Sequence, residues 1–135
     1  MPKEKVVLTM NRATADIVSR ACEFYARVCM GQFEEIPREI IVWAHNPRAE
    51  FQRDEAGAHL RYAKMALFPE LPVNASYGVG KNPRIDTAFG VHDTLRYVSA
   101  WHDFPDGGIT VNFQPPMQYG GEPLPKCEII QEGAE

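Results

Sequence analysis

The sequence predicts a single α+β domain: about three helices packed on a small antiparallel sheet, joined by long Pro/Gly-rich loops. Three observations lead there. Long stretches repeat apolar residues at steps of three and four, the period of an amphipathic helix. Short apolar runs near both ends, and an alternating run at 109–113, read as strands. Pro and Gly clusters punctuate the chain between them. The 135 residues suit one domain, with 44% hydrophobic and 24% charged residues in the ordinary globular range. Residues 1–131 form that domain, and 132–135 are expected to be a disordered tail.

Residues 5–10 read as a short strand. Asn11 then offers a side-chain cap to a first helix. Its expected apolar stripe is Ile17, Val18, Ala21, Cys22, Tyr25, Val28 and Cys29, and Gly31 ends it by tolerating positive φ. Residues 32–36 can add a turn before Pro37, and residues 39–44 are undecided between helix and strand. Residues 49–67 read as a second helix with Ala56, Leu60, Ala63 and Leu67 in line; Gly57 weakens it. Residues 70–85 form a long loop, of a length that often carries function. Asp86 caps a third helix over 87–102, whose stripe is Ala88, Val91, Leu95 and Val98. Strands are expected at 109–113 and 127–131, the latter a partner for the first strand. A homodimer through a sheet edge or helix face would give so few strands more cover.

Composition excludes several function classes. The formal net charge is −4, with 14 Lys+Arg against 18 Asp+Glu. Proteins that grip a phosphodiester backbone carry a basic field, so extended nucleic acid is not expected as a partner. No apolar run approaches a membrane span, and the short Val6-Val7-Leu8 run falls below a signal-peptide core, so no membrane partner is expected. Three cysteines without CxxC spacing argue for reduced thiols in a cytoplasmic setting.

The most suggestive stretch is Ser76-Tyr77-Gly78-Val79-Gly80-Lys81. Gly78 and Gly80 let backbone N–H groups face a ligand, and Lys81 and Arg84 add positive charge, which suits a phosphate or carboxylate. It is not a P-loop, because Ala75 stands at the first glycine position and Asn82 follows the lysine. The competing reading is a plain connecting turn. The third helix carries His92, Asp93, Arg96, Ser99 and His102 off its apolar stripe. His92 and Arg96 share a helical surface. If the loop folds over that face, Tyr77, Gly78, Gly80, Lys81, Arg84, His92 and Arg96 make an anion pocket fit for a nucleotide. The competing reading is a solvated face with Asp93 paired to Arg96 or Arg84.

No catalytic set, metal site or cofactor is assigned. His92-Asp93 and His102-Asp103 are neighbours on a helix and point about 100° apart, so neither pair chelates alone. Cys22 and Cys29 lie on the apolar stripe and read as packing. Cys127 has no signature around it.

Gly31-Gln32-Phe33-Glu34-Glu35-Ile36, then Phe68-Pro69-Glu70-Leu71 with Asn74, Ser76, Tyr77 and Gly78, then a helix bearing Asp93 and Arg96, together resemble a group of small tailed-bacteriophage accessory proteins. The resemblance implies a host-cytoplasm setting and a nonessential role, and carries no catalytic residue. By class analogy it suggests an anti-defence sponge, an oligomer that captures a nucleotide immune signal without cleaving it. The function expected is thus non-enzymatic binding of a small anionic ligand. Two alternatives stand beside it. One is a protein-binding inhibitor or structural module without a small-molecule site, using Phe33, Trp43 and Phe104. The other is a small nucleotide hydrolase using His92 and Asp93.

Overall fold

The computed structural model describes residues 4–132. The chain forms four helices and no strand among the described residues: α1 (Arg12–Cys29), α2 (Glu35–Ile40), α3 (Ala49–Leu67) and α4 (Pro83–Asp103), followed by a 3-10 turn at Val111–Phe113. The expected α+β class and its sheet are therefore wrong; the fold is helical. The tail expectation covers 132–135, of which 133–135 lie outside the described residues.

The strand candidates fail for a local reason. Alternating apolar residues make a strand only where a neighbour completes the ladder. At 109–113 the backbone closes on itself, with Phe113 N–H donating to Thr110 O at 3.2 Å and Gln114 N–H to Val111 O at 3.0 Å. The Phe113 carbonyl is taken by Trp101 Nε1 at 3.1 Å, and the two rings meet edge-on at 5.5 Å. Ile109 is fully exposed. Val6-Val7-Leu8 is likewise exposed and unpaired. Residues 127–131 have no ladder partner. The undecided stretch splits: Glu39 and Ile40 finish α2, and 41–44 leave the helix.

Helix α1 starts where Asn11 accepts from Thr14 N–H at 2.9 Å. It ends in a Schellman turn at Gly31, φ 92°. Gln32 N–H donates to Arg27 O at 2.9 Å and Gly31 N–H to Val28 O at 3.0 Å. Helix α4 starts four residues earlier than expected. Asn82, not Asp86, is its cap, accepting from Arg84 N–H at 3.0 Å ahead of Pro83. Asp86 Oδ1 instead accepts from Gly80 N–H at 2.7 Å, which ties the preceding loop to the first turn.

Helices α1 and α4 form the body. They run antiparallel, since Arg12 meets Asp103, Ser19 meets His92, and Met30 packs near Ile85. The core is Ala26, Met30, Ile85 and Ala88, with Cys22, Cys29 and Phe89 against it. The α1 seam is thus Ser19, Cys22, Ala26 and Cys29, small residues that let the helices approach. It is rotated away from the expected stripe, and Ile17, Ala21 and Tyr25 are left exposed. Along α4, Leu124 of the C-terminal segment lies over Gly90, where a methyl group would meet its Cδ2 at 3.3 Å.

Helix α3 has the expected bounds but packs, among the helices, on α2 alone. It is held also by Lys64, whose buried ammonium donates to Val73 O at 2.9 Å and to Ala75 O. No described helix is long and apolar enough to cross a membrane.

Candidate functional site

A groove of about 720 Å³ lies between α1, α4 and the 3-10 turn. His92 and Arg96 line it, as expected residues; so do Arg12, Arg20 and Ser19 of α1, which the sequence reading did not single out. Tyr77, Gly78, Gly80, Lys81 and Arg84 do not line it. The glycine loop sits at the other end of α4, anchored by Tyr77 N–H donating to Met30 O at 2.9 Å and by the Gly80–Asp86 bond. At 1.5 Å per residue, Arg84 lies about 12 Å along the helix axis from His92 and about 18 Å from Arg96. The structure brings His92 and Arg96 together and leaves the loop residues apart from them.

Helix α1, not the loop, covers the polar side of α4. His92 is buried there. Its Nδ1 lies 3.0 Å from Ser19 O and 2.9 Å from Ser19 Oγ, while Nε2 is 3.1 Å from Glu23 Oε2. Spacing on α4 alone could not show this, because both partners belong to α1.

Every guanidinium in the groove already has an acid. Arg12 donates to both oxygens of Asp103, at 3.0 and 2.9 Å. That hydrogen bond raises the Arg12 pKa and holds the Asp103 carboxyl below its ordinary value. Arg20 pairs with Glu39 at 2.8 Å, and Arg96 with Asp93 at 3.3 Å. The groove is polar, but its positive charge is balanced at close range. Nε of Arg12 and of Arg96 is buried without a partner, and so is out of a ligand's reach.

Nucleophile and metal chemistry find little here. Burial pushes the Cys22 thiol up, and burial with the neighbouring Glu128 does the same to Cys127, which lowers the thiolate population of each. Among the described residues no three His, Cys, Asp or Glu side chains gather as metal ligands. Tyr77 spends its hydroxyl on Glu70, which raises the phenol's pKa and lowers the carboxyl's. A smaller cleft, about 340 Å³, lies between the Gly31 turn, α3 and residues 73–76; its buried cation, Lys64, is committed to the two loop carbonyls.

What the surface does display is apolar. Of the three aromatic contact candidates, Phe33 is buried, edge-on to Phe68 at 5.8 Å, while Trp43 and Phe104 are exposed. Helix α3 carries two opposite apolar lines. Ala56, Leu60 and Ala63 are half-buried toward the body. Phe51, Ala58, Tyr62 and Met65 point the other way, with Phe51, Tyr62 and Met65 exposed by 55%, 74% and 51%.

Comparison with known proteins adds no identification: no family model, no curated protein and no solved structure matches this chain.

Proposed function

We propose that this chain works without catalysis, as an interaction module that engages protein through its exposed apolar surface. One observation carries the reading. A compact folded monomer of this mass exposes roughly 7,100 Å². This 15.2 kDa chain exposes 10434 Å². Part of the excess lies in the extended segments at 4–10 and 114–132, and it is accompanied on α3 by the exposed Phe51, Tyr62 and Met65. Seven apolar side chains, Pro37 among them, are buried among the described residues, and Ile85 is the single large one fully so. A partner would complete a core that the chain alone leaves thin.

The test is photo-crosslinking in cells that express the full chain. A crosslinker at Tyr62 is expected to give a discrete adduct, and one at the exposed turn residue Asp106 is not. Absence of any adduct from position 62 would overturn the reading.

A second reading keeps the small anionic ligand and moves it to the α1–α4 groove. The groove's volume falls within the roughly 300–1,000 Å³ of ligand pockets, and Arg12, Arg20, His92 and Arg96 all line it. Such a ligand would have to draw a guanidinium from its carboxylate. The nucleotide-sponge role and the host-cytoplasm setting belong to this reading and rest on the phage resemblance alone. A thermal-shift series with cyclic nucleotides and ADP-ribose decides it. Ligand at 100 times its Kd should add about 2.7 kcal/mol, and a flat series near the millimolar range removes the reading.

A further inference from the structure

We infer that the exposed line of α3 packs antiparallel against the same line of a second copy of this chain. The inference rests on the interaction reading and names its partner. Phe51, Glu55, Ala58, Tyr62 and Met65 follow one another at steps of four, three, four and three. That spacing keeps one seam facing a neighbouring helix, as in the a and d positions of a coiled coil. The helix is 19 residues long, enough for this seam to span two heptads. Its opposite side already meets α2 and the Lys64-bound loop, so the seam is free to meet another chain.

Charge selects the occupant and its direction. Asp54 and Arg61 flank the seam on the same side, seven residues apart, both exposed. Two antiparallel copies centred near Ala58 bring Asp54 of each beside Arg61 of the other. They also set Phe51 against Met65 of the second copy, with small Ala58 at the middle where the backbones come closest. Parallel copies would place Asp54 beside Asp54 and forgo the match. Asp54 now lies 3.2 Å from Arg53, an exposed neighbour contact that exchanges easily for an intermolecular one.

The test is sedimentation equilibrium on the full chain over a wide concentration range. The expected mass is twice 15.2 kDa. Tyr62→Glu should weaken association about 100-fold, the effect of charging a buried aromatic anchor. Asp54→Arg should weaken it about tenfold, and adding Arg61→Asp should restore it, since the double exchange re-forms both opposite-charge pairs. Ile17→Glu, on the exposed side of α1, should leave the mass unchanged. A monomer at every soluble concentration, or a dimer indifferent to both Tyr62→Glu and Asp54→Arg, overturns the inference. A monomer whose position-62 crosslink gives an adduct of foreign mass overturns the second copy and leaves the interaction reading standing; no adduct at all removes both.

Discussion

The guanidinium of Arg12, in the first turn of α1, clasps the carboxylate of Asp103, the last residue of α4, through two hydrogen bonds. The pair joins α1 and α4 at one end of the body, and the Tyr77–Met30 and Gly80–Asp86 bonds join loop to helix at the other. Between them His92 is set against Ser19 and Glu23. Of the residues expected as ligand donors, His92 bridges α4 to α1, while Tyr77 and Gly80 tie the loop to the ends of α1 and α4.

The Arg12–Asp103 clasp has a pH signature. The hydrogen bond from Arg12 holds the folded-state Asp103 below its ordinary value of 3.8, to which it returns on unfolding. Its contribution is therefore complete above 3.8 and lost as pH falls through the lower folded-state value. Asp103→Asn should melt slightly below wild type at neutral pH. The gap should close at the acid end, and also in high salt, because both partners are well exposed. Thermal melts at several pH values read this; a gap that persists in acid would show that the pair is not its source.

His92 is expected to matter for stability in the absence of any ligand. His92→Ala leaves a void in the α1–α4 contact and removes the ring's polar contacts with Ser19 and Glu23. The cost should be about 2 kcal/mol in urea unfolding. A change below about 0.5 kcal/mol, the range of an ordinary surface substitution, would mean that the contact is idle and would reopen a ligand role for the ring.

Lys64 links α3 to its neighbours through Val73 O and Ala75 O. Lys64→Met keeps the stem and removes the donor. Two loop carbonyls then lose their partner, at a cost of about 1–3 kcal/mol. Hydrogen exchange should rise across 71–77 and in the last turns of α3, with α1 and α4 unaffected. Uniform loosening of all four helices would contradict the separate attachment of α3.

Much of the helical skeleton was legible. The Asn11 cap, the Gly31 stop and both bounds of α3 follow from local signals, because caps, positive φ and Phe-Pro stops act within a turn or two. The sheet was misread because alternation at 109–113 is a local pattern, whereas a ladder needs a second chain segment; Trp101 took the carbonyl instead. The start of α4 was misplaced because Asp86 and Asn82 are both plausible caps, and Gly80 claimed the aspartate. The candidate site was only half legible. Shared helical surface joined His92 to Arg96, and the competing Asp93–Arg96 pair, also within one helix, is present, but the residues that cover that surface, Ser19 and Glu23, are set by the α1–α4 contact. No periodicity within one helix reports such a contact. The same blindness hid the rotation of the α1 seam, since a small-residue line of Ser19, Cys22, Ala26 and Cys29 is less apolar than the stripe of Ile17 and Tyr25 beside it.

Two glycines separate backbone effects from packing. Gly57 lies inside α3, and a methyl group built there meets nothing within 4 Å. Gly57→Ala should therefore stabilise the chain by about 0.5–1 kcal/mol, through helix propensity and a less disordered unfolded state. Gly31 has φ 92° and sits against Leu71 and Lys64. Gly31→Ala places a side chain in the left-handed region and should cost about 1–2 kcal/mol. Because α3 is attached apart from the α1–α4 body, the Gly57→Ala gain should appear chiefly as slower hydrogen exchange within α3. The Gly31→Ala loss should appear in the global transition, since the Gly31 turn connects the two. If both changes move only the global transition, α3 is not a separately opening unit, and its surface is better covered than the structure indicates.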